Sequence, residues 1–352
     1  MKPLCIKNFT SEQLEAWVHT LGEKPFRARQ LFRHLYARNI TSWSQCTDLS
    51  RAFRAQLEFG SALDALSVSR IDEAPDGTRK YLFRLYDSNF IESVLIPEGK
   101  RRTLCISSQV GCALGCVFCA TGAMGWRRNL SAAEIAGQVR EIILRDAAQA
   151  PTNVVFMGMG EPLLNWDAVD TALTILNAPE GVGIGARHIT VSTVGILPNL
   201  ALFAKRPEQF RLAVSLHAPT SALRRELMPV ERKYTLPDLL SALKEFDRRV
   251  TLEYVLIAGK NDSFEAADAL ARIAAPLAAL VNLLPLHPGG APGLTPTARN
   301  QMLAFERRLK ERGVEAVLRR SRGLDISAAC GQLRVERESG RKVGAEEHAG
   351  VE

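Results

Sequence analysis

Three closely spaced cysteines, Cys112, Cys116 and Cys119, are the residues of this sequence best suited to metal chemistry. Iron–sulfur clusters are bound by cysteine thiolates, normally four. A motif of three leaves one iron open to the amino and carboxylate groups of a ligand, which is how S-adenosylmethionine is held for reductive cleavage. A structural zinc site is the alternative, but such sites use paired Cys or Cys/His sets, and the sequence has no second pair. The spacing therefore favours a [4Fe–4S] cluster.

A glycine-rich turn, Gly158-Met159-Gly160-Glu161-Pro162, follows one of the predicted strands. Glycines let the backbone approach a ligand closely, and a carboxylate such as Glu161 accepts hydrogen bonds from a ligand ammonium group. Turns of this kind are also common without any function. By itself the turn is weak evidence for a ligand site. It becomes stronger evidence because we expect the three cysteines to lie beside it.

Polar residues end three further β-rich runs. They are Ser192, the segment Ser215-Leu216-His217, and His287. Because the carboxyl ends of parallel strands meet at one rim, these side chains would line one cavity. Capping of the following helices is the alternative for the serines, and a solvent-facing turn is the alternative for His287.

Two isolated cysteines lie outside the motif. Cys105 is in the apolar run just before it, and Cys330 is in a stretch of small residues near the end of the chain. Isolated cysteines are more often inert, buried residues than catalytic ones. The residues alone therefore predict burial for both, as they do for Cys5 and Cys46.

Short β-rich runs alternate with helical patterns from Leu104 onward. This order predicts a parallel sheet, either an open doubly wound sheet or part of a barrel. One of the helices opens with Ser131 and Glu134, the spacing of a capping box. The six predicted strands are residues 104–107, 153–157, 188–192, 212–216, 251–257 and 281–286.

The residues before this region predict two smaller units. Residues 1–75 have the pattern of short helices, including the basic amphipathic segment 24–33. The runs 80–86 and 90–96 predict a β-hairpin. The alternation of the second run places Glu92 on the face opposite Ile91 and Ser93.

The composition predicts a cytoplasmic protein that contacts a polyanion. The chain has 352 residues, of which seven are cysteines, and a formal net charge of +7. An odd number of cysteines in a reducing compartment favours metal binding or catalysis over a disulfide framework. The apolar runs are far shorter than the ~20 residues of a membrane span, and the N-terminus lacks the apolar region of a secretory signal.

The basic residues between Arg299 and Lys342 predict binding to a polyanion such as RNA. A solvated, charged helix face is the alternative interpretation.

At these motifs the chain resembles the RlmN/Cfr family of RNA adenosine methyltransferases, radical enzymes that methylate an aromatic carbon of adenine, and the resemblance favours the RlmN branch. It extends from about Gly22 to Leu333. The matching segments are residues 111–122, 157–165, 215–218 and 325–333.

The resemblance implies an α/β fold, a partial (β/α)6 barrel of the radical-SAM type that resembles a TIM barrel, after a small N-terminal helical domain. We therefore expect four regions in the chain. They are a helical RNA-docking domain at 1–75, a β-hairpin linker at 76–100, a radical S-adenosylmethionine barrel at 101–335 and a disordered polar tail at 336–352.

The resemblance also assigns the site residues. Cys112, Cys116 and Cys119 would bind the [4Fe–4S] cluster. The residues expected to contact S-adenosylmethionine are Gly160, Glu161, Ser192, Ser215, Leu216, His217 and, where the family usually has asparagine, His287.

The residue-based interpretation of two cysteines is reversed by the resemblance. Cys330 matches the family's methyl-carrying cysteine, and Cys105 matches the cysteine that resolves the protein–RNA adduct by forming a disulfide with Cys330. Glu92 matches the family's proton acceptor. Two S-adenosylmethionine molecules per turnover are implied, one to methylate Cys330 and one to yield a 5′-deoxyadenosyl radical. A radical route suits C2 of adenine because that carbon is not nucleophilic.

The implied substrates are an adenosine of 23S rRNA and the adenosine beside the anticodon of some tRNAs. An electron donor such as flavodoxin and a monomeric state are also expected. The predicted RNA-docking residues are Lys24, Arg27, Arg29 and Arg33.

Three alternative functions remain open at this stage. A Cfr-like enzyme acting on C8 of the same adenosine would share every residue named above. A radical enzyme acting on a small molecule or peptide would leave Cys105 and Cys330 without a role. A non-enzymatic RNA-binding protein with structural zinc is the third.

Overall fold

The computed structural model describes residues 4–63, 65–287 and 293–333. No helix among these residues is long and apolar enough to cross a membrane. The α-helices are α1 (Ser11–Thr20), α2 (Phe26–Tyr36), α3 (Arg51–Gly60), α4 (Ala120–Ala123), α5 (Ala132–Arg145), α6 (Trp166–Asn177), α7 (Leu197–Ala204), α8 (Ser221–Leu227), α9 (Leu236–Lys244), α10 (Phe264–Ala274) and α11 (Arg299–Glu311). The strands are β1 (Leu4–Cys5), β2 (Ser61–Ala62), β3 (Leu66–Glu73), β4 (Arg79–Leu85), β5 (Phe90–Glu98), β6 (Arg101–Cys105), β7 (Gln109–Gly111), β8 (Trp126–Asn129), β9 (Asn153–Phe156), β10 (Ile189–Thr193), β11 (Arg211–Ser215), β12 (Val250–Leu256), β13 (Leu280–Pro285) and β14 (Ala316–Leu318).

One large sheet of the described chain has the strand order β14-β13-β12-β11-β10-β9-β6-β5-β4-β3. Strands β6 and β9 to β14 pair in parallel, whereas β3, β4, β5 and β6 pair antiparallel. The parallel strands are neighbours in chain order, as in a TIM barrel, and β14 and β3 are the two edges. The predicted partial barrel is confirmed, and β14 adds one parallel strand to the predicted six.

The barrel helices form where local signals place them, and α5 is an example. Ser131 Oγ accepts a hydrogen bond from Glu134 N at 3.2 Å, and Glu134 Oε2 accepts one from Ser131 N at 2.9 Å. This is the predicted capping box, which satisfies two N–H groups that the first turn leaves unpaired. The helix then buries its apolar face, including Ile135 and Val139, against the core.

The N-terminal unit, which contains α1 to α3, is hydrogen-bonded to α5 at two points. Arg140 of α5 donates to the Ile40 carbonyl oxygen, with 2.6 Å between Nη2 and O. Ala133 N donates to Asn8 Oδ1 at 2.9 Å. The small unit is therefore held by buried polar contacts as well as by apolar packing.

The structure makes Leu66–Glu73 the edge strand β3, although the sequence analysis included these residues in the helical unit. The strand carries Arg70, Asp72 and Glu73, and charged residues are a usual feature of sheet edges. They mask the apolar alternation from which a strand would be predicted. The predicted hairpin is present as β4 and β5, and it extends the main sheet. The predicted tail, 336–352, lies outside the described residues, and the region boundaries stay predictions.

Candidate active site

A cavity opens at the carboxyl ends of the parallel strands, the rim at which barrels of this type place their active sites. Its empty volume is about 960 Å³, including its open mouth. The predicted site residues that line it together are Cys112, Cys116, Cys119, Gly160, Glu161, Ser192, Ser215, His217 and Cys330. The tertiary structure thus brings the cysteine motif, the glycine-rich turn and the distant Cys330 to one place.

The three-cysteine motif forms the loop between β7 and α4. Gly111, at its start, has a φ of 77°, and a Cβ there would lie 1.9 Å from the Gly125 carbonyl oxygen. Only glycine fits this contact, which closes the base of the loop. Cys119 N then donates to Cys116 O at 3.1 Å, in a turn that holds the last two cysteines together.

The thiols of this loop fit an iron–sulfur cluster. Burial, together with the charges of Cys119 and Glu161, raises the pKa of the Cys112 thiol to about 12. Burial and the other two cysteines also raise the pKa of Cys116. Thiols that disfavour each other's ionisation need a cationic partner to become thiolates.

No three His, Cys, Asp or Glu side chains of the described residues converge on a single metal ion. A tetrahedral zinc ion requires such convergence. The thiolates of a [4Fe–4S] cluster each bind a different iron, so they stand further apart. Three cysteine thiols on one loop are the type of donor that binds a [4Fe–4S] cluster, with one iron left for another ligand.

Glu161 is fixed in the cavity wall by main-chain donors. Its two carboxylate oxygens accept hydrogen bonds from Leu163 N at 3.0 Å and from Val194 N at 2.9 Å. Burial raises the pKa of this carboxyl to about 7, against the lowering effect of the Thr193 hydroxyl and of these two amides. Gly160 allows the turn because its φ is 99° and a Cβ there would lie 2.5 Å from Gln109. A carboxylate has about four lone-pair sites, so the Thr193 hydroxyl and the two amides leave one site for a ligand.

His217 enters the cavity from the loop after β11, with a φ of 56°. Its Nδ1 accepts a hydrogen bond from Val255 N at 3.0 Å, which assigns the ring proton to Nε2. The edge of the imidazole ring meets the Phe118 ring, with 4.7 Å between centroids. Burial, assisted by Arg224, lowers the pKa of His217 to about 3. The side chain is therefore a neutral hydrogen-bond donor.

Cys330 lies over the loop that carries the three-cysteine motif, which we call the cluster loop. Main-chain oxygens of the residues that follow Cys330 are hydrogen-bonded to α4, at the end of this loop. Ala120 N donates to Gly331 O at 2.8 Å, and Thr121 Oγ1 donates to Leu333 O at 2.7 Å. Surrounding protein atoms raise the pKa of the Cys330 thiol, and Arg319 opposes that effect. The residue is nevertheless accessible, because it faces the open space of the cavity.

Cys105 ends β6 and does not line the cavity. It is 8% exposed, and burial, followed by the charge of Cys330, raises the pKa of its thiol to about 12. The two cysteines are thus electrostatic neighbours despite their distance in sequence. All seven cysteines are free thiols, so the disulfide predicted between Cys105 and Cys330 is absent from this structure.

Three more predicted residues lie outside the cavity lining. Glu92 is buried in β5 and forms an ion pair with Lys80, with 3.2 Å between Oε1 and Nζ. Leu216 is fully buried, and only its backbone is polar. His287 lies 2.8 Å from Ser321, measured from Nε2 to Oγ. The structure does not bring these three side chains to the cluster loop.

Two residues outside the predicted site set belong to the site, and one of them, Arg319, is among the basic residues from which RNA binding was predicted. Glu253 lines the cavity at 3% exposure, with one oxygen 3.0 Å from Asn282 Nδ2 and the other without a hydrogen-bond partner among the described residues. Arg319 follows β14, and the charges of Cys330, Glu253 and Cys105 raise the pKa of its guanidinium group. A charged residue inside the apolar run 251–257 was the available signal for Glu253.

Two family models match the chain. Residues 106–271 match the Radical SAM superfamily, and residues 5–61 match the ribosomal RNA large subunit methyltransferase N-terminal domain. The fold and the cavity therefore define a radical S-adenosylmethionine enzyme. Membership of this superfamily implies a [4Fe–4S] cluster and S-adenosylmethionine.

Relatives of known description cover nearly the whole chain. A probable dual-specificity RNA methyltransferase RlmN from Gemmatimonas aurantiaca is 54% identical over 340 residues, which are 96% of this chain and 94% of the relative. A dual-specificity RNA methyltransferase RlmN from Syntrophobacter fumaroxidans is 49% identical over 342 residues, 96% of this chain and 99% of the relative. A crystal structure of a radical SAM methyltransferase from Sphaerobacter thermophilus matches with a TM-score of 0.89 and 44% identity, over 95% of this chain and 100% of that one. The chain belongs to the RlmN family of RNA methyltransferases, as the resemblance predicted.

Proposed function

We propose that this protein methylates C2 of one adenosine in 23S rRNA and of the adenosine beside the anticodon in some tRNAs. The observation that carries the proposal is that Cys330 lines the same cavity as Cys112, Cys116 and Cys119. A methyl carrier has to lie within reach of the place where the radical forms, because the two must react with each other. Cys330 meets this requirement.

The polar side chains of the cavity suit S-adenosylmethionine. Glu161 would accept hydrogen bonds from its ammonium group, and His217 would donate from Nε2. Ser192, Ser215 and the backbone of Gly160 complete the lining. Leu216 and His287 belong to the proposed set by family resemblance alone. When bound, the cluster and S-adenosylmethionine supply a 5′-deoxyadenosyl radical, with the electron coming from a donor such as flavodoxin.

Cys330 and Cys105 divide the covalent chemistry between them. The Cys330 sulfur takes a methyl group from one S-adenosylmethionine. The 5′-deoxyadenosyl radical would take a hydrogen atom from that methyl group, giving 5′-deoxyadenosine, and the methylene radical left on Cys330 adds to C2 of the adenine. The adduct radical gives up one electron, which the cluster would take back, and Glu92 takes the C2 proton. The Cys105 thiolate then attacks the Cys330 sulfur, so an S–S bond forms and the S–CH2 bond breaks. The CH2 carbon keeps the electron pair of that bond and takes up a proton, and the methylated base leaves. The target base must be outside its helical stack for this contact.

Two single substitutions test this division of roles. Cys330→Ala removes the methyl acceptor, so we expect no S-methylcysteine and no covalent RNA adduct. Cys105→Ala leaves the acceptor intact, so we expect the adduct to form and stall, giving protein that co-purifies with RNA attached at Cys330. Denaturing gel electrophoresis with and without nuclease detects the adduct as a nuclease-sensitive shifted band.

Cys46→Ala is the matched control, because Cys46 is also buried but lies in the N-terminal unit. It should form product and show no shifted band. Methylation retained in Cys105→Ala, without the band, would refute the proposal. Mass spectrometry of the nucleoside made by the wild type distinguishes 2-methyladenosine from the 8-methyl product of a Cfr-like enzyme.

A further inference from the structure

Lys80 and Glu92 form a buried ion pair on the inner face of the sheet. Lys80 Nζ lies 3.2 Å from Glu92 Oε1, and the two side chains are 9% and 2% exposed. Lysine and glutamate are seldom buried. Each charge taken from water costs several kcal/mol, so a buried pair adds little to stability compared with apolar residues of the same size. The pair therefore calls for a functional reason.

The strand register places this pair beside Cys105. Lys80 is opposite Val94 in the β4–β5 pairing, and Val94 is opposite Cys105 in the β5–β6 pairing. Directly opposite residues of antiparallel strands share a face, so Lys80, Val94 and Cys105 form one row. Glu92 is two residues from Val94 along β5 and therefore points to the same face, one row nearer the rim.

The backbone of Glu92 is tied to the rim by two contacts. Its carbonyl oxygen accepts a hydrogen bond from Ser107 Oγ at 2.6 Å, and its N–H donates to Met159 Sδ at 3.4 Å. Met159 belongs to the turn that also carries Glu161. With the main chain fixed, the direction of the Glu92 carboxylate depends on the partners of its side chain, and Lys80 is one of them.

We propose that Lys80 is a positioning residue for proton transfer, which keeps the Glu92 carboxylate ionised and aimed along the inner face beside Cys105. The inference rests on the proposed function, in which Glu92 takes the C2 proton of the adenine. A buried carboxylate without a cation takes up a proton from solvent and is then unable to accept another. With Lys80 present, the C–H bond breaks, its electron pair stays with the adduct, and the proton moves to the carboxylate.

The test uses the full chain with its cluster reconstituted and with substrate RNA. Lys80→Met should still form S-methylcysteine at Cys330, within about twofold of the wild type. Release of methylated RNA should fall on the order of 100-fold, the loss expected when acid–base catalysis fails, and the nuclease-sensitive adduct should accumulate. Lys80→Arg keeps the charge and should recover release to within about tenfold of the wild type.

A matched control comes from the same strand. Arg79 is next to Lys80 in β4 and therefore on the opposite face, where it forms an ion pair with Glu73 at 3.0 Å, with the two side chains 27% and 54% exposed. Arg79→Met should leave release of RNA unchanged. Release at the wild-type rate in Lys80→Met, or equal losses in Lys80→Met and Lys80→Arg, would overturn the proposal.

The double variant Lys80→Met/Glu92→Gln covers the case in which Lys80→Met does not fold, because it leaves no unpaired buried charge. If Lys80 acts only through Glu92, the double variant should release RNA at the same rate as Glu92→Gln. A slower double variant would show that Lys80 acts elsewhere and would refute the inference. Normal release by Glu92→Gln alone would instead refute the role of Glu92 within the proposed function.

Discussion

Asp76 accepts a hydrogen bond from the main-chain N–H of Gly323, with 3.2 Å between Oδ2 and N. The two residues come from opposite edges of the sheet, because Asp76 follows β3 and Gly323 follows β14. Gly323 has a φ of 61°, and a Cβ there would lie 2.8 Å from Thr78, so only glycine fits. This contact bridges the open side of the partial barrel and anchors the segment that carries Cys330.

Asp76→Ala should therefore loosen the Cys330 segment without unfolding the barrel. A hydrogen bond to a charged group contributes roughly 1.5–3 kcal/mol, so amide hydrogens of residues 323–333 should exchange at least tenfold faster. Hydrogen exchange with mass spectrometry measures this. Asp72→Ala is the control, because Asp72 forms its ion pair with Arg70 of the same strand, β3, and not with the Cys330 segment. Equal exchange in both variants would contradict the anchoring role.

Cys116→Ser should abolish the iron–sulfur cluster. The loss of one of three thiolates leaves too few ligands to retain four irons. Cluster content after anaerobic reconstitution is measured by iron analysis and by the absorption at about 400 nm. Cys46→Ser, outside the loop, should reconstitute normally. A full cluster in Cys116→Ser would show that the ligands lie elsewhere.

Exposed arginines of α2 should contribute to RNA binding. Arg29 and Arg33 are exposed, whereas Arg27 Nη1 is occupied by Gln30 and by the Asp48 carbonyl oxygen, both at 2.8 Å. The double variant Arg29→Ala/Arg33→Ala should bind RNA more weakly. The slope of log K against the logarithm of salt concentration should become shallower by up to about 2, because each lost phosphate contact removes roughly one unit of slope. Fluorescence anisotropy at several salt concentrations measures the slope.

The comparison surface for this prediction is α11. Arg299 and Arg307 are also exposed, and they belong to the second basic region that the sequence analysis associated with RNA. Arg299→Ala/Arg307→Ala should leave the slope unchanged. The reverse result would move the docking surface to α11.

His217 should stay neutral well below pH 6. Burial lowers its pKa from 6.5 to about 3, so between these values the unfolded chain binds one more proton than the folded chain does. The stability of the folded state should therefore fall as pH falls, by about 1.4 kcal/mol per unit from this residue alone.

Carbon-13 NMR of labelled histidines checks the prediction for His217 directly. The resonance that is missing in His217→Gln should not titrate between pH 8 and pH 5. A midpoint near the 6.5 of the unperturbed side chain would mean that the ring is solvated rather than held by Val255.

Local sequence patterns were sufficient for six of the parallel strands, for helix α5 and for the three-cysteine loop, but they missed β3 and β14. The six parallel strands appear within a few residues of their predicted positions, and Ser131 caps α5 as its spacing indicates. Cys112, Cys116 and Cys119 lie close in the chain, so their proximity in space needs no long-range contact. Such features depend on nearest neighbours and on periodicity.

Residue types alone were misleading for Cys330, which they predicted to be an inert buried cysteine. The structure leaves it accessible in the cavity. Only the family resemblance distinguished it and Cys105 from Cys46, because an isolated cysteine carries no local signal of its surroundings.

The tertiary structure decided which distant residues face one another. Glu253 reaches the cavity because of the register in which β12 pairs with β11 and β13. Lys80 contacts Glu92 because the β4–β5 register places Lys80 opposite Val94, two residues from Glu92. Slipping either pairing by one residue would turn these side chains to the opposite face. Register and barrel closure depend on packing across the whole sheet, which short stretches of sequence do not contain.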